Sequence, residues 1–159
     1  MDSGLLDALI GVGGSVLGSV TAWLLTRPSS LRNDAYDKVR GAIHEPHPND
    51  SPGKTILCSG TVTGMQPGLS LWLAVEVGEK VWPKENRPVV DQDNRWSVTI
   101  FEDGRSKVIA IGLFVADAKA SRWIEKWLKA GQKVGQYSEV IGIPGARRIA
   151  RVDNIQIPL

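Results

Sequence analysis

The residues in this chain whose spacing carries chemistry are mainly cations. Lys119, Arg122, Lys126 and Lys129 recur at steps of three, four and three. At about 100° per residue, that spacing sets them on one stripe of a helix. Arg147, Arg148 and Arg151 form a second cluster shortly after. Guanidinium groups suit two-point phosphate contacts better than ammonium groups do. The seven residues together point to an anion site, with phosphate foremost: a nucleotide, a nucleic acid or an anionic lipid headgroup. An ordinary solvated face is the plainer alternative. The net charge of +2 says little, but its distribution is uneven. Residues 53–116 hold seven basic and seven acidic side chains, whereas residues 117–151 hold eight basic against three acidic.

Catalytic signatures are missing. The sequence has no G-x-S-x-G, H-E-x-x-H, C-x-x-C or P-loop. The expectation is therefore a protein that is not an enzyme, with no catalytic residue, metal ligand or cofactor. Cys58 with His44 or His47 is a weak candidate pair, because the cysteine falls mid-strand and the histidines in a proline-rich stretch. The carboxylates Asp91, Asp93, Glu102 and Asp103 fall in two turns. Convergence at one end of a sandwich would suit calcium, and turn-forming Asp is the simpler reading. Of the six Trp residues, Trp96 reads as core, while Trp72 and Trp82 are candidates for stacking on sugars or bases unless a helix covers them.

The N-terminal run from Leu5 to Leu25 carries no charge after Asp7. The stretch from Ala8 to Leu25 would span ~27 Å as a helix, close to a bilayer's hydrocarbon thickness. It reads as a transmembrane helix, with Trp23 in the aromatic belt. Gly4, Ala8, Gly11, Ser15, Gly18 and Ala22 recur at three- and four-residue steps, and Gly14 pairs with Gly18 in a G-x-x-x-G. Such a small-residue stripe predicts close self-association, hence a homo-oligomer. Asp7 beside the stripe fits either a carboxylate ring at a pore mouth or an interfacial carboxylate among headgroups. Arg27, Arg32, Lys38 and Arg40 follow the span and none precedes it. The positive-inside bias then places the C-terminal body in the cytoplasm at an inner membrane, with the N-terminus outside. The single Cys58 agrees with a reducing compartment.

Beyond the span, Pro28-Ser29-Ser30 breaks the helix, and residues 31–44 read as a short juxtamembrane helix with Leu31, Ala35, Val39 and Ile43 on one side. Residues 45–53, EPHPNDSPG, read as a linker. The expected organisation is an anchor over 1–27, a juxtamembrane helix and linker over 28–54, and a β-sandwich or small barrel over 55–159. Residues 69–77 alternate clearly, with Leu69, Leu71, Leu73, Val75 and Val77 on one face. Residues 95–101 also alternate, residues 108–116 are apolar on both faces, and residues 148–157 form the last strand. Pro88–Val90 reads as a short edge piece. Between the last two long strands, Asp117 caps an inserted amphipathic helix that is expected to stop at Gly131.

The runs GTVTGMQPGLSLWLAV, VWP, DNRWSV, IGLFVAD and IPGA, over roughly residues 55–157, resemble a small immunoglobulin-like β-sandwich of bacterial multidomain proteins. The resemblance implies an accessory binding or structural module and no catalytic residues. The overall layout resembles, more weakly, small prokaryotic antiviral membrane effectors. The functional expectation is a single-pass membrane protein whose cytosolic β-domain binds a ligand or protein partner. In its sharper form it perturbs the bilayer when a phosphate-bearing ligand binds. The alternative is an outward-facing adhesion or structural module that binds glycan or protein.

Overall fold

A computed structural model describes residues 29–158 of the chain. Their element order is α1 (Ser29–Asp37), β1 (Arg40–Glu45), β2 (Thr55–Thr63), β3 (Ser70–Val77), β4 (Lys80–Pro83), β5 (Arg95–Phe101), β6 (Val108–Ala116), α2 (Ala118–Val134), β7 (Val140–Ile141) and β8 (Ala146–Gln156). The strands make two antiparallel sheets. The first has the order β1-β2-β5 and the second β7-β4-β3-β6-β8.

Period-two alternation dictates how the sheets stack. In β3, Leu71, Leu73 and Val75 turn inward and join Ile109, Ile111, Leu113 and Val115 of β6. They pack on Ile56, Cys58 and Val62 of β2 and on Trp96 and Ile100 of β5. Tyr36 of α1 and Val39 belong to the same core. The opposite face of the second sheet is covered as well. Trp72, Ala74, Phe114 and Ala116 meet Ala120, Ile124 and Leu128 of α2. The alternation in residues 69–77 suggested a half-buried strand; α2 makes it buried on both sides. The strand expected over 108–116 lies between β3 and β8, as its two apolar faces require.

Several expectations are corrected. The membrane-anchored architecture is not what the described residues form. They make a mainly-β body of two sheets, and none of their helices is long and apolar enough to cross a membrane. Their longest helix, α2, is amphipathic, with one face taken up by a sheet. The span Leu5–Leu25, with Asp7 and the stripe Gly4, Ala8, Gly11, Gly14, Ser15, Gly18 and Ala22, lies outside the described residues. The juxtamembrane helix over 31–44 is also wrong in its second half. The helix ends at Asp37, and residues 40–45 form β1, with Gly41 opposite Val62 and Ile43 opposite Gly60. The four-residue spacing of Leu31, Ala35, Val39 and Ile43 imitated a helix, but pairing with β2 supplies the backbone partners instead.

The proline-rich stretch that follows is tied down rather than free. Asn49 N–H donates to Asn154 O, and Gln156 N–H donates to Asp50 O. Pro88–Val90 is not a strand, although the segment around it binds β5 through Asn86 Nδ2 to Thr99 O and Lys84 Nζ to Phe101 O. The register between β6 and β8 shifts twice, between Ile109 and Ile111 and between Leu113 and Phe114.

The N-terminus of α2 forms as its sequence dictates, because Asp117 Oδ1 accepts from Ala120 N at 2.8 Å. The C-terminus runs past Gly131 to Val134, and Gly135 takes the left-handed position at φ 72°. Gly131 is there for a different reason: a Cβ on it would lie 2.0 Å from Cδ1 of Tyr137. In an open helix Gly→Ala adds about 1 kcal/mol. Gly131→Ala should instead destabilise by about 1–3 kcal/mol through expulsion of the Tyr137 ring. Urea denaturation reads the sign.

Candidate functional site

The strongest concentration of accessible charge lies on α2. Its helical period sends Ala120, Ile124, Leu128 and Gly131 to the sheet and leaves Lys119, Arg122, Lys126 and Lys129 exposed on the other side. Because the helix continues beyond Gly131, Lys133 joins the exposed row. The expected stop at Gly131 hid this fifth member. The helix is fixed to the sheet by polar contacts too. Trp72 Nε1 donates to Ser121 Oγ at 3.1 Å, so Trp72 is a buried anchor and not a stacking platform. Arg87 lies over the Trp72 ring, 4.8 Å from its centroid. It also donates to Ser70 Oγ at 2.8 Å and stands 3.7 Å from Glu125. Glu125 is the one carboxylate of α2, and Arg87 offsets it. None of the five cations of the row forms an ion pair among the described residues.

The second predicted cluster is in a different state. Arg147 pairs with Asp37 of α1. Arg148 reaches Glu76 Oε2 at 2.7 Å, and Arg151 stands 3.5 Å from the same oxygen and 2.9 Å from Asp153. Glu76 is 2% exposed. It reaches from β3 across β6 at Gly112, where a Cβ would lie 2.2 Å from Oε1. Glu76 Oε1 and Trp96 Nε1 are buried without a hydrogen-bond partner among the described residues. A buried carboxylate is costly unless it is paired, so these arginines serve Glu76 before any ligand. The sequence expectation of seven equivalent anion-binding residues therefore divides. Four of the seven are unpaired on α2, and three are engaged in holding β8 to its neighbours.

The weaker chemical candidates separate in space. Cys58 is buried in the core, and desolvation pushes its thiol up to about 12, far from a nucleophile's range. His44 is exposed beside the irregularity in β1, and His47 lies 3.6 Å from Asp50 on the surface. Asp91 and Asp93 precede β5 whereas Glu102 and Asp103 follow it, so the length of the strand, about 20 Å, keeps them apart. Asp91 Oδ1 accepts from the N–H groups of Asp93 and Arg95, which holds its carboxyl below the usual range. Glu102 bonds Lys84 at 2.6 Å. No group of three or more potential metal ligands is present among the described residues.

Sequence reasoning missed one concavity. A depression of ≈ 360 Å³ on the first sheet is lined by His44, Ser59, Thr61, Asp91, Arg95 and Ser97, among others. These residues are distant in sequence and form no motif; only the β1-β2-β5 pairing assembles them. No protein-family model and no curated protein matches the chain.

Arg148→Ala or Arg151→Ala leaves Glu76 one partner, whereas the double variant leaves none. The double variant should lose about 1–2 kcal/mol more than the sum of the singles, and adding Glu76→Gln should restore part of the loss, as read by denaturant midpoints. Cys58 should react with an alkylating probe at pH 8 only as fast as the protein unfolds, because the buried thiol stays protonated.

Proposed function

We propose that this β-body is a binding module without catalysis of its own, and that the outward face of α2 receives a phosphate-bearing partner. One observation carries the reading. Lys119, Arg122, Lys126, Lys129 and Lys133 stand exposed in a row with no carboxylate partner among the described residues, on a helix whose other face is locked to the sheet. The rigid helix fixes where each cation is rooted, while each exposed side chain still gives up rotamer freedom when an anion arrives. It also raises the local concentration of anions before contact.

Polyphosphate is a direct probe. The double variant Lys126→Ala with Lys129→Ala should weaken its binding about tenfold at low salt, corresponding to the loss of two charge contacts. The unfolding free energy should not change by more than about 0.5 kcal/mol, as both side chains are exposed. Unchanged affinity with the double variant defeats the reading.

A further inference from the structure

The geometry of the row narrows the shape of the partner it can take. From Lys119 to Lys133 the cations cover about 21 Å of helix axis, at intervals of about 4.5 and 6 Å. The row is straight, single-file and fixed to a rigid layer. A charged line of this kind is complementary to a polyanion that repeats its own charge along a line.

A bilayer fits less well. Interfacial helices bind by sinking an apolar face among the headgroups. The apolar face of α2 is already used, since Ala120, Ile124 and Leu128 are buried on the second sheet. Trp127 is held at its edge, stacked on Tyr137 with ring centroids 5.1 Å apart and donating from Nε1 to Ser138 O at 3.2 Å. Of the large exposed apolar residues, only Val134 belongs to α2. Four of the five cations are lysines, which act as point charges and give no directional reading of a partner. The neighbouring strand edge adds no net charge to the row, because Arg148 and Arg151 face Glu76 and Asp153. Register places Arg151 opposite Gly112 and Arg148 opposite Phe114, on the α2 side of the sheet. Their side chains are 34% and 45% exposed, and Asp153 takes Nε of Arg151 at 2.9 Å.

We infer that the outward face of α2 is a track for the phosphate backbone of a nucleic-acid strand, contacted without reading its bases. This inference rests on the phosphate reading of the same face.

The test uses the full chain with a fluorescein-labelled, mixed-sequence single strand of about 20 nucleotides, followed by anisotropy across a salt series. With four to five contacts the slope of log K against log[salt] should be about −3, and scrambling the sequence should change affinity by less than about twofold. Lys126→Ala with Lys129→Ala should reduce the slope by about 1.4 and leave the fold intact. Polyglutamate, polyphosphate and phosphatidylcholine vesicles containing phosphatidylserine run alongside. Binding to vesicles without binding to the oligonucleotide overturns the nucleic-acid inference and leaves the phosphate-binding face standing, as does binding to polyphosphate alone. Binding to polyglutamate alone overturns both. Failure to bind any of the four overturns both. Oligonucleotide binding that the lysine variants do not alter overturns the placement on α2.

Discussion

Burial of both faces of the five-stranded sheet is the constraint on which the other parts of this body depend. Strands β3 and β6 are apolar on each side and are stable only with a layer above and a layer below. The three-stranded sheet provides one layer and α2 the other. The helix is therefore structural before it is anything else. Its sheet-facing residues are committed, and its chemistry is confined to what remains outside. A single tyrosine links this arrangement to α1. Tyr36 donates from its hydroxyl to Gly145 O, and the Tyr36 hydroxyl oxygen accepts from the N–H of Asp117, the residue that caps α2. The entry into the helix layer and the approach to the last strand are thereby fixed to the same side chain.

Charge on this surface falls into two states with different physical meaning. Arg148 and Arg151 on β8 offset the buried charge of Glu76, so their removal is first a loss of stability, whereas Arg147 pairs with the exposed Asp37. Cations on α2 face only solvent among the described residues, and their removal is first a loss of surface potential. Cationic side chains within about thirty positions of sequence thus serve different ends, according to whether a carboxylate partner faces them.

The sequence showed much of the β framework. Period-two alternation located β3 and β5, a doubly apolar run located β6, and Asp117 marked the start of α2. These signals are local, and burial acts on them directly. What failed was non-local. Residues 40–45 carry a helix-like spacing, yet β2 recruits them into a strand. Gly131 looks like a stop signal, yet a tyrosine six residues later needs its missing side chain. The difference between the two basic clusters was likewise hidden, because Glu76 and Asp37 are remote in the chain from the arginines they meet. Helical periodicity gave four members of the α2 row, and the misplaced helix end concealed the fifth.

The margins of the sheets carry a further consequence. One border of the larger sheet is β7, only two residues long. The other is β8, whose register is twice interrupted and whose rim bears Arg147, Arg148, Arg151 and Asp153. In the smaller sheet, the segment around Asn86 seals β5 by bonding its carbonyls. A long, flat, unpaired backbone edge is what lets one chain zip onto another and nucleate fibrils. These three borders are too short, too irregular or already occupied for that, which leaves β1 as the remaining border strand of the described sheets.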